Sequence, residues 1–337
     1  AAVIARRSGI AAALLGALAS VTMAAHATTA STPVRTVYAF NDLFGVHEGY
    51  RAVHAKGVVC EGSFVASPEA SAVTRAPHMQ GAEVPVVFRF SDFAGTPAVA
   101  SGSPHASPRG LSLKFLLPDG STDIVAHSYD GFPAAAPEEF LGFLQAVAAS
   151  GPHVAAPTPL DRFAAAHPAA RRFLDHPKPI PSSYAAEAFF GVNAFRFENA
   201  EGRSVHGRYR IVPVGGTGYL DPDEAAARPA DFLTAELADR LERGPTRFRL
   251  MLQIADPGDP VTDGTVLWPE SRRQVDLGLL TIRRIAADNR ATERRLFFTP
   301  LNLVDGIDTS GDPMLTARSR AYAKSYSIRA PEEQATQ

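Results

Sequence analysis

The chain has 337 residues, of which 45% are hydrophobic, 20% charged and 9% aromatic, a composition typical of a globular protein with a large buried core. Its 33 basic and 35 acidic side chains give a formal net charge of −2, so no basic excess is available for binding a nucleic-acid backbone. Because Cys60 is the single cysteine, the sequence excludes an intramolecular disulfide framework and any metal site with several thiolate ligands.

The first residues have the pattern of a secretion signal. Arg6 and Arg7 precede an alanine-rich apolar run that ends in a small-residue cleavage pattern at Ala27, and this run is too short to span a bilayer comfortably. We therefore expect residues 1–27 to be a signal peptide and residues 28–337 to form a single domain outside the cytoplasm. A helical or disordered N-terminal extension is the alternative interpretation.

Beyond this segment, apolar or alternating stretches of strand length predominate, separated by the Gly, Pro, Asp and Ser clusters that turns require. The predicted strands cover residues 53–65, 84–90, 111–117, 124–128, 195–197, 209–214, 248–254 and 275–285. The predicted helices cover residues 137–149, 160–174, 221–241 and 313–328. Since strands outnumber helices and mostly lack helical crossovers, we predict an α+β fold, an antiparallel β-barrel with appended helices.

Four dispersed motifs hold the residues best suited to chemistry. In chain order they are Arg51-Ala52-Val53-His54-Ala55-Lys56-Gly57, Arg89-Phe90-Ser91, Pro108-Arg109-Gly110 and a C-terminal set of Arg318, Tyr322 and Arg329. Taken singly, each has an ordinary structural explanation, such as a hydrogen-bonded histidine at a strand start or a charge at a strand edge. No glycine-rich nucleotide or phosphate loop accompanies them, so nucleotide chemistry has no support.

The C-terminal set is harder to explain as core packing. On a helix, offsets of four and seven residues bring Arg318, Tyr322 and Arg329 to nearly one face. A guanidinium beside a phenol favours the phenolate, and a phenolate oxygen is a hard anionic ligand suited to ferric iron. This face therefore predicts a site for an anion, with Tyr322 as a candidate iron ligand.

In combination, the motifs resemble the successive signature segments of haem catalases. In the family's order and at similar separations, they are Arg51-x-Val53-His54-Ala55-Lys56-Gly57, Arg89-Phe90-Ser91, Pro108-Arg109-Gly110-x-x-x-Lys114-Phe115, Asp123-Ile124-Val125 and Met314-Leu315-x-x-Arg318-x-x-x-Tyr322. The resemblance covers roughly residues 36–330. Because the chain is much shorter than a full catalase and begins with an export pattern, it most resembles the small catalase-related peroxidases of the bacterial periplasm.

The resemblance implies a b-type haem whose iron has a tyrosine ligand on the proximal side and a catalytic histidine on the distal side. Tyr322 would be the proximal iron ligand, as tyrosine is in catalases, and Arg318 would keep its oxygen ionised. His54 would be the distal acid/base, which takes a proton from peroxide and returns it to the departing oxygen. Ser91 would orient the His54 imidazole through a hydrogen bond.

The same resemblance implies the remaining residues of the haem pocket. They are the propionate-binding arginines Arg51, Arg89 and Arg329 and the distal-wall residues Val53, Phe132 and Phe140. Arginine suits the propionates because its guanidinium binds carboxylates in a bidentate way. Since Arg51 and His54 are three residues apart, they cannot share a face of a regular strand, so Arg51 must precede the strand or sit at an irregularity.

The sequence departs from the catalase pattern at His127, where the family has an asparagine that helps to hold peroxide over the iron. A histidine is bulkier than an amide, changes charge between about pH 5 and 8, and can present a lone pair in place of a proton. We therefore expect weak dismutation of hydrogen peroxide, with His127 assisting proton transfer, crowding the pocket or binding iron. After Tyr322, Ala323-Lys324-Ser325 lacks the Pro-Asp that usually follows.

These observations predict an exported haem-dependent peroxidase that reduces hydrogen peroxide or organic hydroperoxides with a small organic electron donor. Two alternatives remain: a haem enzyme that isomerises hydroperoxides without an external reductant, and an exported haem-binding protein without turnover. The distal set built on His54 favours an enzyme, because a carrier needs no acid/base. We expect a periplasmic monomer or homodimer with no nucleic-acid partner and no membrane attachment after signal removal.

Overall fold

The computed structural model describes residues 30–330, and a closed ring of antiparallel strands lies at its centre. In chain order the strands are β1 (Gly57–Ala66), β2 (Val84–Ser91), β3 (Gly110–Leu117), β4 (Gly120–His127), β5 (Ile180–Pro181), β6 (Phe189–Phe190), β7 (Phe195–Glu198), β8 (Ser204–Pro213), β9 (Tyr219–Leu220), β10 (Thr246–Ile254), β11 (Gln274–Ile285) and β12 (Ile307–Thr309). The helices are α1 (Thr32–Phe44), α2 (Ala70–Val73), α3 (Pro137–Ala148), α4 (Pro159–Ala166), α5 (Pro168–Asp175), α6 (Pro222–Ala227), α7 (Phe232–Arg243), α8 (Asn289–Arg295) and α9 (Pro313–Arg329).

Eight strands close the barrel. Their order around the ring is β10-β11-β1-β2-β3-β4-β6-β8, and β8 pairs again with β10. Each neighbouring pair in the ring is antiparallel. β7 and β12 extend the sheet from β8, while β5 and β9 form a separate two-stranded ribbon. The predicted α+β fold, an antiparallel barrel with appended helices, is confirmed.

Alternation along β2 lets one strand serve both the core and a cavity. Phe88 and Phe90 are fully buried in the main hydrophobic cluster, where the ring centres of Phe90 and Tyr184 lie 5.2 Å apart. Arg89 and Ser91 point the other way and line a cavity outside the barrel, as the two-residue period of a strand requires. Burying each phenylalanine contributes about 1.5–3 kcal/mol to folding, so the core fixes the positions of Arg89 and Ser91.

A layer of helices covers the flank of the barrel that carries this cavity. α1 packs against α3 and α9, and a second hydrophobic cluster includes Phe40 of α1 and Phe143 of α3. Asp312 caps the N-terminus of α9, and its carboxylate accepts a hydrogen bond from the backbone N–H of Met314 at 2.8 Å. Pro313 follows in the first turn, where a missing N–H costs nothing. This cap therefore fixes the start of α9, the helix that carries Tyr322.

The first strand begins later than the sequence pattern predicts. β1 starts at Gly57 rather than at Val53, because His54 takes a left-handed conformation with a φ of +56°. The His54 N–H bonds to the carbonyl of Phe93 at 2.7 Å, outside the strand ladder. Arg51 and His54 therefore both precede the strand, which agrees with the expectation that they cannot share its face.

Two predicted helices are each divided in the structure. Residues 160–174 form α4 and α5, with the break at Pro168, and residues 221–241 form α6 and α7, with Pro229 between them. A proline removes a helical N–H donor and clashes with the preceding turn, so each break has a local cause. α1 was not predicted from the sequence.

The part of the chain from residue 30 to residue 330 has no helix that is long and apolar enough to cross a bilayer. The predicted signal peptide, residues 1–27, lies outside the described residues. The organisation of residues 28–337 as a single domain stays a prediction.

Candidate active site

Two adjoining cavities lie between the barrel and the helical layer. The smaller, of about 140 Å³, is lined by residues of β2, β3, β4 and α9, and the larger, of about 420 Å³, extends between α1, α3 and α5. His54, His127, Arg318 and Tyr322 belong to the walls of both cavities. The larger cavity is mainly apolar and has the size of small-molecule binding sites.

Neighbouring positions on three strands form the barrel side of the smaller cavity. Ser91, Gly110 and His127 are direct cross-strand partners in one row. A Cβ at Gly110 would come within 2.5 Å of Ser91 Oγ and 3.0 Å of His54 Nδ1. The absence of a side chain at Gly110 therefore provides the space in which His54 meets Ser91.

His54 is held at both its backbone and its ring. Its left-handed φ is uncommon for a residue other than glycine, and Nη2 of Arg89 donates a hydrogen bond to its carbonyl at 2.8 Å. In the ring, Nδ1 lies 3.0 Å from Ser91 Oγ, and Phe93 meets the imidazole edge to face with centres 5.5 Å apart. Because Nδ1 is engaged, Nε2 is the ring nitrogen left to form a hydrogen bond with a ligand or to exchange a proton with it.

The two histidines of the smaller cavity, His54 and His127, are neutral near pH 7. Burial is the main cause that lowers the pKa of His54 to about 3, and the positive charge of Arg89 acts in the same direction. Burial also lowers the pKa of His127 to about 3, with a further contribution from Arg318. A neutral imidazole has one N–H and one lone pair, so each ring can both donate and accept a hydrogen bond.

The backbone just after β4 determines which nitrogen of His127 carries the proton. The N–H of Tyr129 donates to Nδ1 of His127 at 3.3 Å, so Nδ1 supplies the lone pair and Nε2 carries the hydrogen. The ring lies near Phe132, with centres 6.3 Å apart. Burial therefore argues against a charge change of His127 near neutral pH, and the contact with Tyr129 favours Nε2 as the site of its proton. The role of His127 toward a ligand stays a prediction.

α9 forms the helix side of the smaller cavity. Arg318, Tyr322 and Arg329 all line it, as their spacing in the sequence predicts. Nε and Nη2 of Arg318 both donate hydrogen bonds to the phenolic oxygen of Tyr322 at 3.1 Å. Two charged donors on one oxygen favour a negative charge there, so Arg318 would support the Tyr322 oxygen as a ligand of a bound metal ion.

The sequence interpretation missed two buried residues behind Arg318. Asn193 accepts a hydrogen bond from Nη1 of Arg318 and donates through Nδ2 to the carboxylate of Asp312 at 2.7 Å. Since Asp312 also caps α9, this chain of contacts links the orientation of the guanidinium to the start of the helix that carries Tyr322. Asp312 before a proline is a recognisable helix-start signal, whereas nothing in the local sequence marks Asn193.

Three arginines meet at one end of the smaller cavity. Arg51 and Arg329 donate to the carbonyl of Leu296 at 2.9 and 2.8 Å, and Nε of Arg89 pairs with the carboxylate of Glu293 at 2.6 Å. Burial, followed by the neighbouring arginines, lowers the pKa of Arg51 and lowers that of Arg329 to about 10. This excess of buried positive charge suits an anionic ligand.

The structure brings all the predicted site residues to these cavities. The smaller cavity is lined by Arg51, Val53, His54, Arg89, Ser91, His127, Arg318, Tyr322 and Arg329. Phe132 and Phe140 line the larger one, with ring centres 4.9 Å apart. Their individual roles in catalysis and cofactor binding stay predictions.

Comparisons with known proteins agree with the resemblance. The family model described as Catalase matches residues 47–335. A catalase-related peroxidase of Mycolicibacterium paratuberculosis is 36% identical over 302 residues, covering 88% of this chain and 95% of that protein. A catalase-related peroxidase of Synechococcus elongatus is 34% identical over 328 residues, covering 95% of this chain and 96% of that protein.

Solved structures share the fold. A fungal catalase superposes with a TM-score of 0.74 at 20% identity, covering 83% of this chain and 59% of that one. A bacterial catalase superposes with a TM-score of 0.73 at 24% identity, covering 83% of this chain and 57% of that one. The barrel and its helices are therefore those of catalases.

The described residues also fit a haem. Tyr322 offers an oxygen ligand for iron, apolar walls surround it, and the arginines offer charge to carboxylates. Nε of Arg329 is buried and has no hydrogen-bond partner within residues 30–330, so it is a donor that a haem carboxylate would satisfy. The predicted fold, enzyme class and cofactor are confirmed, since the family match and both relatives show that this chain belongs to the catalase family and is a haem oxidoreductase acting on peroxide.

Proposed function

We propose that the chain is a peroxidase in which Tyr322 binds the iron of a b-type haem and Arg51, Arg89 and Arg329 hold its propionates. Support comes from the two Arg318 donors on the Tyr322 oxygen and from the convergence of the arginines on one cavity. When bound, haem supplies an iron that takes two oxidising equivalents from peroxide and passes them singly to a donor. The protein must bind the peroxide, move its proton and admit the donor.

His54 is the acid/base of this proposal. Its Nε2 accepts the proton of the peroxide O–H and returns it to the other peroxide oxygen as the O–O bond breaks, so that water or an alcohol leaves. Ser91 keeps the ring aimed through its contact with Nδ1. Burial lowers the pKa of His54 to about 3, so the imidazole is unprotonated throughout the neutral range when the peroxide arrives.

His127 binds the peroxide in this proposal and does not exchange its proton. Its Nε2–H is directed by the hydrogen bond that Nδ1 receives from Tyr129, and it donates to a peroxide oxygen. Because an imidazole is larger than an amide, it leaves less room for a second hydrogen peroxide, which dismutation requires. We therefore infer weak catalase activity alongside the peroxidase reaction.

The larger cavity supports organic substrates. Its walls include Phe40, Phe93, Phe140 and Phe143, and they lead to His54. An apolar chamber of about 420 Å³ favours an organic hydroperoxide or a small aromatic electron donor over a strongly hydrated ion. The names of the two relatives as catalase-related peroxidases support a reaction in which a donor is oxidised.

The observation that carries the proposal is the position of neutral His54 on the barrel side and the Tyr322 oxygen on the helix side of one cavity. The test is to load the purified protein with haem and supply hydrogen peroxide or an organic hydroperoxide, with and without an aromatic donor. We expect donor-dependent peroxide consumption with little oxygen release, and its loss in His54→Ala. Consumption of an unsaturated hydroperoxide without a donor would favour isomerisation, and no consumption would favour a carrier.

A periplasmic location and a monomeric or dimeric state also belong to this proposal, with no membrane attachment after the signal is removed. Support for export comes from Arg6, Arg7 and the small-residue pattern that ends at Ala27. Cell fractionation and the mass of the mature N-terminus test it, with sedimentation for the oligomeric state. Uncleaved protein in the cytoplasm would contradict the export proposal.

A further inference from the structure

We propose that Glu293 is the resident counter-ion of the arginines that hold the haem propionates, and that it positions Arg89 and, through Arg89, the backbone of His54. The inference rests on the proposed binding of propionates by Arg51, Arg89 and Arg329. It assigns a role to a buried charge on α8 that the proposed catalysis does not use.

Glu293 is a buried acid. It is the buried residue of α8 and is 4% exposed, and its carboxylate contacts Nε of Arg89 at 2.6 Å. Taking both charges out of water is costly unless they pair closely, so the contact cannot be a chance surface pair. Among residues 30–330, Glu293 is not in the wall of the smaller cavity, whereas Arg89 is. The carboxylate therefore binds Arg89 without itself lining the cavity.

The charges of the cluster match the ligand. Counted formally, the three cavity-lining arginines Arg51, Arg89 and Arg329 together with Glu293 sum to +2, which is equal and opposite to the charge of the two haem propionates. Without Glu293 the same cluster would carry +3, and one buried positive charge would stay uncompensated after haem binds. Burial, and after it the positive charges of Arg89, Arg329 and Arg290, lowers the pKa of Arg51, and Glu293 acts in the opposite direction. The carboxylate therefore relieves part of the repulsion within the cluster.

The Arg89–Glu293 ion pair is also connected to the backbone of His54. With Nε of Arg89 held by Glu293, Nη2 of the same guanidinium donates to the carbonyl of His54 at 2.8 Å. His54 has a left-handed backbone that costs free energy for a residue with a side chain. A guanidinium fixed on both sides stabilises that conformation, so loss of Glu293 should loosen the segment around His54.

The experiment compares three variants with the wild-type protein. Glu293→Gln removes the charge with little change in shape, and Glu293→Asp keeps the charge. Glu198→Gln is the matched control, because Glu198 pairs with Arg196 at 2.7 Å in a partly exposed position on β7. Each protein is titrated with ferric haem and with haem dimethyl ester, whose esterified propionates are uncharged. Hydrogen exchange of the segment that contains His54 is measured on the haem-free proteins.

We expect Glu293→Gln to increase the ratio of the affinity for haem to the affinity for haem dimethyl ester, the preference for haem, by about threefold or more. The reason is that the two propionate carboxylates then bind a more positive cluster. Exchange at the His54 segment should rise by about tenfold. Glu293→Asp and Glu198→Gln should stay near wild type in both measurements. An unchanged or reduced preference would overturn the counter-ion role, and unchanged exchange would overturn the positioning role. Failure of the wild-type protein to bind either porphyrin would instead contradict the proposed haem site.

Discussion

The backbone N–H of Tyr129 donates a hydrogen bond to Nδ1 of His127 at 3.3 Å. Because a neutral imidazole has only one proton, this bond places the proton on Nε2, and burial keeps the ring neutral by lowering its pKa to about 3. His127 therefore offers a ligand the same kind of hydrogen bond as an amide N–H. What distinguishes it from an asparagine is its size, and size is the basis of the first prediction.

Replacing His127 by Asn should raise oxygen release from hydrogen peroxide several-fold while leaving the oxidation of an aromatic donor within about twofold. The smaller side chain keeps a neutral N–H donor but gives a second peroxide more room. An oxygen electrode and a donor-oxidation assay on the same haem-loaded preparation measure the two activities.

Ser128→Ala is the control for this prediction. Ser128 follows His127, and its Oγ is already engaged as the acceptor of the Arg109 N–H at 2.9 Å. We expect this variant to leave the ratio of the two activities unchanged. Equal oxygen release from wild type and His127→Asn, with equal donor oxidation, would show that His127 does not limit dismutation.

His54→Ala should retain haem but react with peroxide roughly a hundredfold more slowly, the usual scale for a positioned acid/base. The loss should fall on the first reaction with peroxide and much less on later reduction by the donor. Stopped-flow mixing of haem-loaded protein with peroxide measures the first step. His153→Ala, which changes an exposed histidine that lines neither cavity, is the control. A wild-type rate in His54→Ala would remove His54 from the mechanism.

Asn193→Ala should lower the free energy of unfolding by about 1–3 kcal/mol, because it leaves the buried carboxylate of Asp312 without its amide donor. It should also weaken haem binding, since Arg318 loses the acceptor of its Nη1 and orients less well toward Tyr322. Denaturant unfolding and haem titration measure these effects. Asn302→Ala, which removes a partly buried bond to Ser121 at 3.0 Å, should leave haem affinity unchanged; a matching loss there would make the Asn193 effect nonspecific.

The haem-free protein should lose stability as the pH falls. The pKa values of His54 and His127 are lowered to about 3 in the folded state, while in the unfolded chain they lie near 6.5. Below pH 6.5 the two histidines take up protons in the unfolded state but not in the folded state. Each histidine therefore lowers the free energy of unfolding by up to about 1.4 kcal/mol per pH unit, down to its folded pKa.

Urea unfolding between pH 7 and pH 4.5 tests this linkage. The double variant His54→Ala/His127→Asn should show a shallower fall in the free energy of unfolding than wild type, while the carboxylates contribute equally to both proteins. Parallel curves for the two proteins would mean that the histidines are not buried in neutral form.

Much of the site could be predicted from sequence because its residues lie on regular elements. Arg89 and Ser91 share one face of β2 through the two-residue period of a strand. Arg318, Tyr322 and Arg329 share one face of α9 through helical spacing. In both cases, local geometry fixes the direction of the side chain before any tertiary contact forms.

The remaining features depend on contacts between distant segments. Glu293 and Arg89 pair although 204 residues separate them, and Asn193 meets Arg318 across 125 residues. The left-handed backbone of His54 depends on partners at Phe93 and Arg89. Such contacts have no periodic signature, so the pattern of the sequence alone could not indicate them.

Binding of haem through the oxygen of Tyr322 is tested by the absorption and resonance Raman spectra of haem-loaded wild type and Tyr322→Phe. Tyr326→Phe is the control, because Tyr326 lies one turn further along α9 with its ring 5.2 Å from Phe297. We predict a tyrosinate–iron signature in wild type and Tyr326→Phe, and its loss with strongly weakened haem binding in Tyr322→Phe. An unchanged haem spectrum in Tyr322→Phe would show that another group binds the iron.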